Sequence, residues 1–395
     1  MRHAIEKPSP ILCLNSGSSS LKFSLYLVGS ETEKLLATGT VERIGSKNSS
    51  LQISDPKGKR SLAKSLRCPN HKSAVRIAFE AITNLSLPQP VAIGHRIVHG
   101  GPKYSSPELV TPSLLKTLNK LVSLAPLHLP SGLLGIDSVK GRFPKLPQVA
   151  CFDTAFHRHM PQVSQKLPLP RRLWDHHLRR YGFHGLSYEY VVSKLGKRLK
   201  GRSIIAHLGN GASMVALLNG KPIDTTMGLT PAGGFMMGTR SGDIDPGILT
   251  YLLKQKRFSV DGIDRLINYE SGLRGVSNKT HDMKTLLDRR AKDSKADFAI
   301  KMFCHHVRKT IGALSAVLGG LDSLIFTGGI GERAIAIRKE ICEKLGYLGV
   351  RLDPKKNKVH AEMISSTKSQ CRVFIIPTKE DLVITRHTYN VLQKQ

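Results

Sequence analysis

The sequence predicts an α/β protein built from two duplicated domains, and three observations lead to this prediction. Predicted strands alternate with predicted helices along the chain, the order typical of α/β folds. A strand, a small polar turn and a returning strand occur once in each half, which indicates a duplication. The 395 residues also exceed what one hydrophobic core usually supports. We expect one domain over residues 1–150 and 380–395 and a second over residues 151–379.

The first half begins with a predicted β-hairpin. Residues 11–15 and 22–28 have the composition of strands, and the small polar residues between them suit a turn. A third strand is predicted over residues 35–45, and a loop with an edge strand over residues 45–72. A helix is expected over residues 73–85, where apolar residues recur with helical spacing.

A buried strand and a second helix complete the first half. The strand covers residues 91–101. Thr111 and Pro112 suit the start of the helix. Its apolar stripe consists of Leu114, Leu115, Leu118, Leu121 and Val122. The segment 125–132 (APLHLPSG) is expected to end this helix.

The second half contains a hairpin of the same design. Residues 202–208 form the predicted strand, 209–213 the turn and 214–220 the returning strand. A loose alignment of the two hairpins places Gly17 with Gly211 and Ser19 with Ser213.

The C-terminal part is predicted to run strand, glycine turn and helix over residues 321–346. Ile337, Ile341 and Leu345 mark one apolar face of that helix. A last strand at 373–378 and a short C-terminal helix follow.

The composition is globular but strongly basic. The 60 Lys and Arg residues exceed the 29 Asp and Glu residues, for a net charge of +31. Such a charge attracts polyanions, so a nucleic-acid-binding role stays open as an alternative to a solvated basic surface. The basic residues are spread over several segments, at 57–60, 171–180, 197–202, 289–292 and 355–358.

Other compositional features predict a soluble, cytoplasmic protein. The sequence has no apolar run long enough for a signal peptide or a membrane span. Six widely spaced cysteines lack a C-x-x-C pair and zinc-finger spacing, so we expect free thiols in a reducing compartment.

Three glycine-rich turns follow predicted strands, at residues 15–22, 207–213 and 326–332. Glycine lets backbone N–H groups approach a phosphate closely. None of the turns has the P-loop spacing, and one alone would be weak evidence. Three of them, the first closed by Lys22, predict a bound nucleotide and a transferred phosphate.

Two arginines suit the recognition of small anions. Strand alternation places Arg96 and Val98 on one face, where a guanidinium could hold a carboxylate and the valine could contact a methyl group. A purely structural salt bridge of Arg96 is the alternative. The long segment 224–247 is rich in glycine and carries Arg240, a candidate for neutralising a transferring phosphoryl group.

Taken together, these motifs resemble the acetate kinase family, which belongs to the superfamily of actin, sugar kinases and Hsp70 chaperones. The matching stretches include LNSGSSSLKFSLY, GHRIVHGG, CFDTAFHRHMP, YGFHGLSYEYV, HLGNGAS, MMGTRSGDIDPG and FTGGIGE. The resemblance implies two duplicated ribonuclease-H-like (actin-like ATPase) domains with an interdomain cleft, and a homodimer. It also implies ATP or ADP and Mg²⁺ as cofactors, with Mn²⁺ as an alternative metal, and acetate or acetyl phosphate as substrate.

The resemblance assigns roles to individual residues. It implies Asp153, His184, Arg240 and His128 as catalytic residues. The substrate site would comprise Arg96, Val98, Leu127, Phe183 and Pro231. Mg²⁺ would bind Asn15 and Glu380. The nucleotide would contact Lys22, His207, Leu208, Gly209, Asn210, Gly211, Asp282, Met283, Lys284, Gly329, Ile330, Gly331, Glu332 and Arg333.

The expected reaction is direct in-line phosphoryl transfer from ATP to acetate. Acetate is ionised at neutral pH, so it needs orientation and charge neutralisation more than a general base. Asp153 is then expected to orient substrate or metal-bound water. Four positions depart from the family pattern: Leu129, Lys284, Arg333 and Lys379. They leave the nucleotide preference open.

Three alternative functions stay open from the sequence. A propionate or butyrate kinase differs only by methylene groups in an apolar pocket, which discriminate weakly. A polyanion-binding protein on an inactive kinase scaffold would not need the catalytic set. An ATPase of the chaperone or actin kind would leave the pairing of Arg96 with Val98 unexplained.

Overall fold

Two β-sheets organise the chain in a computed structural model, which describes residues 8–126, 128–174 and 176–394. The chain divides into two compact units. Unit 1 ends at Arg158 and resumes at Lys379, and unit 2 covers His159–Thr378. The domain boundaries expected from the sequence, at 150/151 and 379/380, stay a prediction.

Unit 1 contains a sheet of eight strands in the order β5-β4-β3-β2-β1-β6-β8-β7. Strand β1 is parallel to β6, and β6 is parallel to β8, while the other pairs are antiparallel. The strands are β1 Ser9–Ser16, β2 Ser20–Val28, β3 Glu33–Glu42, β4 Ser49–Ser54, β5 Arg60–Leu66, β6 Ala92–Ile97, β7 Glu108–Leu109 and β8 Gln148–Phe152.

Helices cover both faces of this sheet. They are α1 His71–Asn84, α2 Pro112–Lys120, α3 Leu129–Arg142 and the C-terminal helix α14 Glu380–Gln393. A Cβ on Gly94 of β6 would meet Ile384 and Thr388 of α14, whereas Gly135 of α3 lies against the next residue, His95. Because successive strand residues face opposite sides, α3 and α14 pack on opposite faces of the sheet.

Unit 2 repeats the central topology of unit 1. Its five strands are β9 Arg202–Leu208, β10 Ala212–Leu218, β11 Lys221–Thr225, β12 Ser323–Thr327 and β13 Arg372–Ile375. The order β11-β10-β9-β12-β13 has the same strand directions as β3-β2-β1-β6-β8. The predicted α/β duplication is therefore confirmed.

Unit 2 also contains helices. They are α4 Gln162–Gln165, α5 Gly185–Leu195, α6 Pro246–Lys254, α7 Val260–Arg265, α8 Gly272–Ser277, α9 Met283–Arg289, α10 Ser294–Leu318, α11 Gly328–Arg333, α12 Ile335–Cys342 and α13 Pro354–Lys358. Helices α4, α10 and α11 contact the strands of the second sheet. The long helix α10 packs against β9 and β10. It begins where Asp293 accepts hydrogen bonds from two backbone N–H groups and ends at Gly319, whose φ is 71°.

Shorter helical turns complete the secondary structure. The 3₁₀ turns are Val122–Leu124, Ala155–His157, Arg171–Leu173, Gly196–Arg198 and Gly346–Leu348, and Leu266–Glu270 is a π-helical turn.

Two sequence predictions in the first half are wrong in detail, and one strand was missed. Residues 45–72 form two paired strands, β4 and β5, in place of a loop with one edge strand. The segment 125–132 does not end α2, which already ends at Lys120. Instead α3 begins within this segment, because Pro130 lies in the first turn where its missing N–H is tolerated. Strand β8 was not predicted, because five buried residues without alternation give a weak signal.

The alignment of Gly17 with Gly211 is also wrong. Gly17 directly follows Ser16, the last paired residue of β1, whereas Gly211 directly precedes Ala212, the first paired residue of β10. The two glycines therefore lie at opposite ends of their turns, which are of unequal length. The predicted glycine turn at 326–332 is partly helical, since α11 already begins at Gly328.

All six cysteines are buried and free. Across the part of the chain that the structure describes, none of the helices has both the length and the apolar character required to span a bilayer.

Candidate functional site

Arg96 of unit 1 lies in a pair of salt bridges with two carboxylates. Its Nε and Nη2 donate to Asp153 at 3.2 and 2.8 Å, and its Nη1 lies 3.1 Å from Glu380. Asp153 directly follows β8 and Glu380 begins α14, so a strand end and a helix start hold the guanidinium. The structure thus brings together three of the residues singled out from the sequence.

The two carboxylates fix the charge of Arg96. Burial alone would lower the pKa of Arg96, but Asp153 and Glu380 raise it above its ordinary value. The Arg96 side chain keeps 18% of its surface exposed, whereas Asp153 keeps 1%. Arg96 is therefore a permanent, oriented cation that still reaches the surface of unit 1.

Asn15 and Lys22 face each other across the first hairpin as a cross-strand pair. Lys22 is exposed and Asn15 half-buried. The amide oxygen of Asn15 and the carboxylate of Glu380 are the hard oxygen donors that suit Mg²⁺, which usually takes few protein ligands beside waters and phosphates. The donor set therefore fits the predicted metal.

Val98 and His128 are two further predicted residues of unit 1. Val98 follows β6, which ends at Ile97, so strand alternation does not place it on the face of Arg96. Its side chain packs against an apolar cluster that includes Leu129. His128 is the N-cap residue of α3 without a side-chain cap bond. Leu127 lies outside the described residues.

His184 of unit 2 occupies a left-handed backbone position immediately before α5, with φ of 57°. Its Nδ1 lies 2.8 Å from Ser213 Oγ. Its ring stacks on His207 with centroids 4.2 Å apart. His207 Nδ1 in turn lies 2.9 Å from Ser187 Oγ. Each ring is therefore fixed at one nitrogen by a serine hydroxyl.

Arg240 and His184 converge over Gly211. A Cβ on Gly211 would lie 3.3 Å from His184 Nε2 and 3.4 Å from Arg240 Nη2. The absence of a side chain at Gly211 thus leaves a space bordered by a ring nitrogen and a guanidinium. Such a space suits an oxygen of a phosphoryl group, which both groups can contact.

Arg240 is buried, with 6% of its surface exposed. Its Nη1 donates to the carbonyl of Pro231 at 2.9 Å. Burial lowers the pKa of Arg240 to about 10. A negative charge brought close to Arg240 would therefore be strongly attracted, because little water screens the interaction.

The loop that carries Arg240 is tied to the second hairpin and to α8. Gly238 N donates to the carbonyl of Asn210 at 3.0 Å, and a Cβ on Gly238 would collide with the Asn210 side chain. Leu273 and Arg274 at the start of α8 donate to the carbonyls of Met237 and Gly238. The long loop predicted at 224–247 is thus irregular but anchored.

Two of the predicted nucleotide segments lie against each other. A Cβ on Gly328 would lie 2.8 Å from the carbonyl of Leu208, and one on Gly209 would lie 4.0 Å from Gly329 N. Glycine is therefore required for the close approach of β9 and α11. The backbone at Gly329 is open, since no atom lies within 4 Å of its Cβ position.

Glu332 and Arg338 hold α11 from within. Glu332 Oε1 accepts from Gly328 N at 3.0 Å and from Thr378 N at 3.1 Å, which indicates a structural role for this carboxylate. Arg338 is fully buried, and its Nη1 donates to the carbonyls of Gly331 and Glu332, both at 2.9 Å. Arg333 and Ile330 remain partly or fully exposed.

The third predicted nucleotide segment lies at the start of α9. Asp282 caps this helix, and hydrogen bonds from Thr285 lower the pKa of Asp282. Met283 is buried and Lys284 is exposed. Phe183, predicted for the substrate pocket, is fully buried directly before His184.

Sequence reasoning missed the serine and tyrosine residues that hold the histidines. Tyr188 Oη and Ser213 Oγ form a hydrogen bond, so Ser213 connects Tyr188 with His184. Tyr188 lies one helical turn after His184, and its N–H donates to the carbonyl of His184. The four-residue spacing of His184 and Tyr188 was the available sequence signal, and it does not point to Ser213.

Comparisons with known proteins agree with one another. The model of the acetokinase family matches residues 10–386. Acetate kinases from Sulfurovum sp. (strain NBC37-1) and Clostridium novyi (strain NT) are 42% and 41% identical, each over 97% of this chain, and the alignments cover 99% and 98% of those proteins.

Solved structures of similar proteins cover the same length. The crystal structure of Porphyromonas gingivalis acetate kinase has a TM-score of 0.86 at 36% identity. That of a propionate kinase from Francisella tularensis subsp. tularensis SCHU S4 has a TM-score of 0.90 at 40% identity. Each match covers 97% of this chain and 100% of the other.

Proposed function

The chain belongs to the acetokinase family, and on that premise we propose that it transfers a phosphoryl group reversibly between ATP and acetate. The products in the forward direction are acetyl phosphate and ADP. An oxygen of the acetate carboxylate attacks the γ-phosphorus of ATP, the bond to the β–γ bridging oxygen breaks, and ADP leaves with that oxygen. No proton has to be removed from the nucleophile, because acetate is ionised at neutral pH.

The observation that carries the proposal is the convergence of His184 and Arg240 over Gly211. Phosphoryl transfer depends mainly on positioning and on stabilising the charge of the transferring group. Arg240 supplies a buried cation and His184 a ring nitrogen, and both border Gly211. We assign these two residues to the oxygens of the transferring group.

Arg96 is the proposed anchor for the acetate carboxylate. Its side chain is partly exposed and oriented by Asp153 and Glu380. We assign Asp153 the role of positioning Arg96, in agreement with its hydrogen bonds and its burial. The proposed contacts of the acetate methyl group remain Val98, Leu127, Phe183 and Pro231. His128 remains a proposed supporting residue near the phosphoryl group.

The proposed cofactors are ATP or ADP with Mg²⁺, or with Mn²⁺ in its place. Asn15 and Glu380 would hold the metal, which when bound neutralises phosphate charge. The proposed nucleotide contacts are Lys22 and the segments 207–211, 282–284 and 329–333. Open backbone at Gly329 and the close approach of Gly209 support the assignment of two of these segments.

We also propose that the chain acts in the cytoplasm as a homodimer. Six buried free thiols fit a reducing compartment. The dimer rests on the family resemblance.

The test measures acyl phosphate formation from Mg-ATP, trapped with hydroxylamine, with acetate, propionate and butyrate in parallel. We expect the highest kcat/KM with acetate. Arg240→Ala should lower kcat by about 100-fold or more, the usual effect of removing one such donor. Arg351→Ala, at an exposed arginine of the same unit, is the control and should retain full activity.

Other outcomes would change the proposal. A preference for propionate or butyrate would change the substrate but keep the mechanism. Normal turnover by Arg240→Ala would refute the assignment of this arginine. ATP hydrolysis without acyl phosphate would favour an ATPase, and inactivity with every acid would favour a polyanion-binding protein.

A further inference from the structure

We propose that Tyr188 and Ser213 are positioning residues that hold His184 as the neutral tautomer with its proton on Nε2. His184 Nε2 then donates a hydrogen bond into the space over Gly211. The catalytic part of this inference rests on the proposed function. The tautomer itself does not depend on it.

The geometry forms a continuous chain of polar groups in unit 2. Tyr188 Oη is hydrogen bonded to Ser213 Oγ, and Ser213 Oγ lies 2.8 Å from His184 Nδ1. Tyr188 and Ser213 are both fully buried. Ser213 has a single proton, so it can donate to only one of its two partners.

The relative acidity of the two hydroxyl groups determines which of them donates the hydrogen bond between Tyr188 and Ser213. A phenol, with a pKa near 10, is a stronger hydrogen-bond donor than an aliphatic hydroxyl. Tyr188 therefore donates to Ser213, whose own proton is left to point at His184 Nδ1. A ring nitrogen that accepts a hydrogen bond carries no proton, so the proton of the neutral ring lies on Nε2.

This tautomer matters because His184 Nε2 and Arg240 Nη2 both border Gly211. Nε2 and Arg240 Nη2 lie 3.3 and 3.4 Å from the same point over Gly211. An anionic oxygen bound against Gly211, between the two groups, would accept one hydrogen bond from the neutral ring and another from the guanidinium. In the other tautomer, Nε2 would direct a lone pair at the same oxygen and repel it.

The stacked histidine supports the orientation of the His184 ring. His207 lies against the ring face at a centroid distance of 4.2 Å with an interplanar angle of 17°. Its own Nδ1 is held by Ser187. Stacking limits tilting of the His184 ring, while Ser213 fixes its rotation within the ring plane.

The first experiment measures the tautomer directly. Long-range ¹⁵N–¹H correlation spectra of the ¹⁵N-histidine-labelled protein distinguish protonated from unprotonated ring nitrogens, and His184→Gln identifies the resonances of His184. We expect an unprotonated Nδ1 and a protonated Nε2 in the wild type. A protonated Nδ1 in the wild type would overturn the proposal, whatever the variants do.

The second experiment compares four variants. Ser213→Ala and Tyr188→Phe remove one hydroxyl each and should lower kcat by about three- to tenfold, the range for one hydrogen bond, while KM for ATP and acetate stays within about twofold. Both should shift the His184 nitrogen signals toward a mixture of tautomers. Ser203→Ala and Tyr190→Phe are matched controls at buried residues of β9 and α5, and should change neither quantity.

The outcomes separate this inference from the proposed function. If Ser213→Ala and Tyr188→Phe both leave kcat and the His184 nitrogen signals unchanged, the inference is overturned. Acyl phosphate formation by the wild type would then still support the proposed function. Equal losses in the controls would also overturn it, since they would indicate a general packing effect. If the protein forms no acyl phosphate at all, the proposed function fails, and the wild-type spectrum still decides the tautomer.

Discussion

His95, the residue before Arg96, is kept uncharged by its buried surroundings. It precedes Arg96 on β6, keeps 2% of its surface exposed, and its Nε2 lies 2.7 Å from Gln148 Oε1. Burial lowers the pKa of His95 to about 4. The ring is therefore neutral at neutral pH, and the only permanent cation on this part of β6 is Arg96 among the described residues.

The buried His95 predicts an acid-sensitive stability. The unfolded chain binds a proton at this residue near pH 6.5, but the folded chain does so only near pH 4. Stability from His95 is therefore full above pH 6.5 and falls by about 3 kcal/mol as the pH drops to 4. Urea unfolding at several pH values should show a weaker decline for His95→Gln. Parallel curves for the two proteins would contradict this prediction.

Gly211 is a second residue whose role follows from the space around it. A methyl group there would come within 3.4 Å of both His184 and Arg240. Gly211→Ala should therefore lower kcat by about 10- to 100-fold through displacement of these groups, with little change in thermal stability. Gly141→Ala is the control, because nothing lies within 4 Å of its Cβ position in α3. Full activity of Gly211→Ala would contradict a ligand bound against Gly211 between these two groups.

At the scale of elements, α12 holds the glycine-rich α11 in place. Arg338 of α12 donates to two carbonyl groups of α11, and its Nε donates to Asn357 Oδ1 at 2.8 Å. Burial lowers the pKa of Arg338 to about 10. The glycine segment lacks side chains of its own to pack, so these buried hydrogen bonds fix its position.

Removal of the Arg338 guanidinium should destabilise unit 2. Arg338→Met keeps much of the volume but removes the guanidinium donor from the carbonyl of Gly331 and from that of Glu332, which retains only its contact with His360 Nδ1, a loss of about 2 kcal/mol or more. The midpoint of urea unfolding measures it, with exposed Arg351→Met as the control. If the two midpoints agree, Arg338 does not stabilise α11.

Much of this element structure could be predicted from the sequence, and the failures have physical causes. The hairpin strands were predictable because turns of small residues separate apolar runs, and α2 because Thr111 caps it. Strand β8 and helix α3 were missed because one is buried on both faces and the other begins among prolines. In such segments tertiary burial, not local pattern, selects the conformation.

The candidate site was predictable to a similar extent. Family motifs gave Arg96, Arg240 and His184, together with the two carboxylates that orient Arg96, but not the serine and tyrosine that orient His184. Hydrogen bonds such as those of Ser213 and Tyr188 join residues 25 apart, and no spacing rule predicts them. Glu332 was assigned to the nucleotide from its motif, whereas its carboxylate binds backbone N–H groups.

At the scale of the whole molecule, the net charge of +31 is expected to attract polyanions. Basic residues occur in several separate segments, and a surface recess of about 660 Å³ on unit 2 is lined by one residue of these segments and by others outside them. The basic residues that line this recess are Arg290, Lys301, His305, Arg308, Lys339 and Lys344. Arg290 and Lys301 already pair with Asp297, so the recess is less cationic than its composition indicates.

We therefore predict diffuse binding of polyanions in place of a dedicated nucleic-acid site. Fluorescence anisotropy with a 20-nucleotide RNA should show binding at 50 mM salt that weakens by about 10³-fold or more at 200 mM, because it depends on counterion release. The double variant Lys339→Glu with Lys344→Glu should reduce the salt slope only by about one per lysine, and an equal change at Lys356 and Lys358 should do the same. Tight binding that survives 200 mM salt, or that only the recess variant abolishes, would instead indicate that this surface has a nucleic-acid partner.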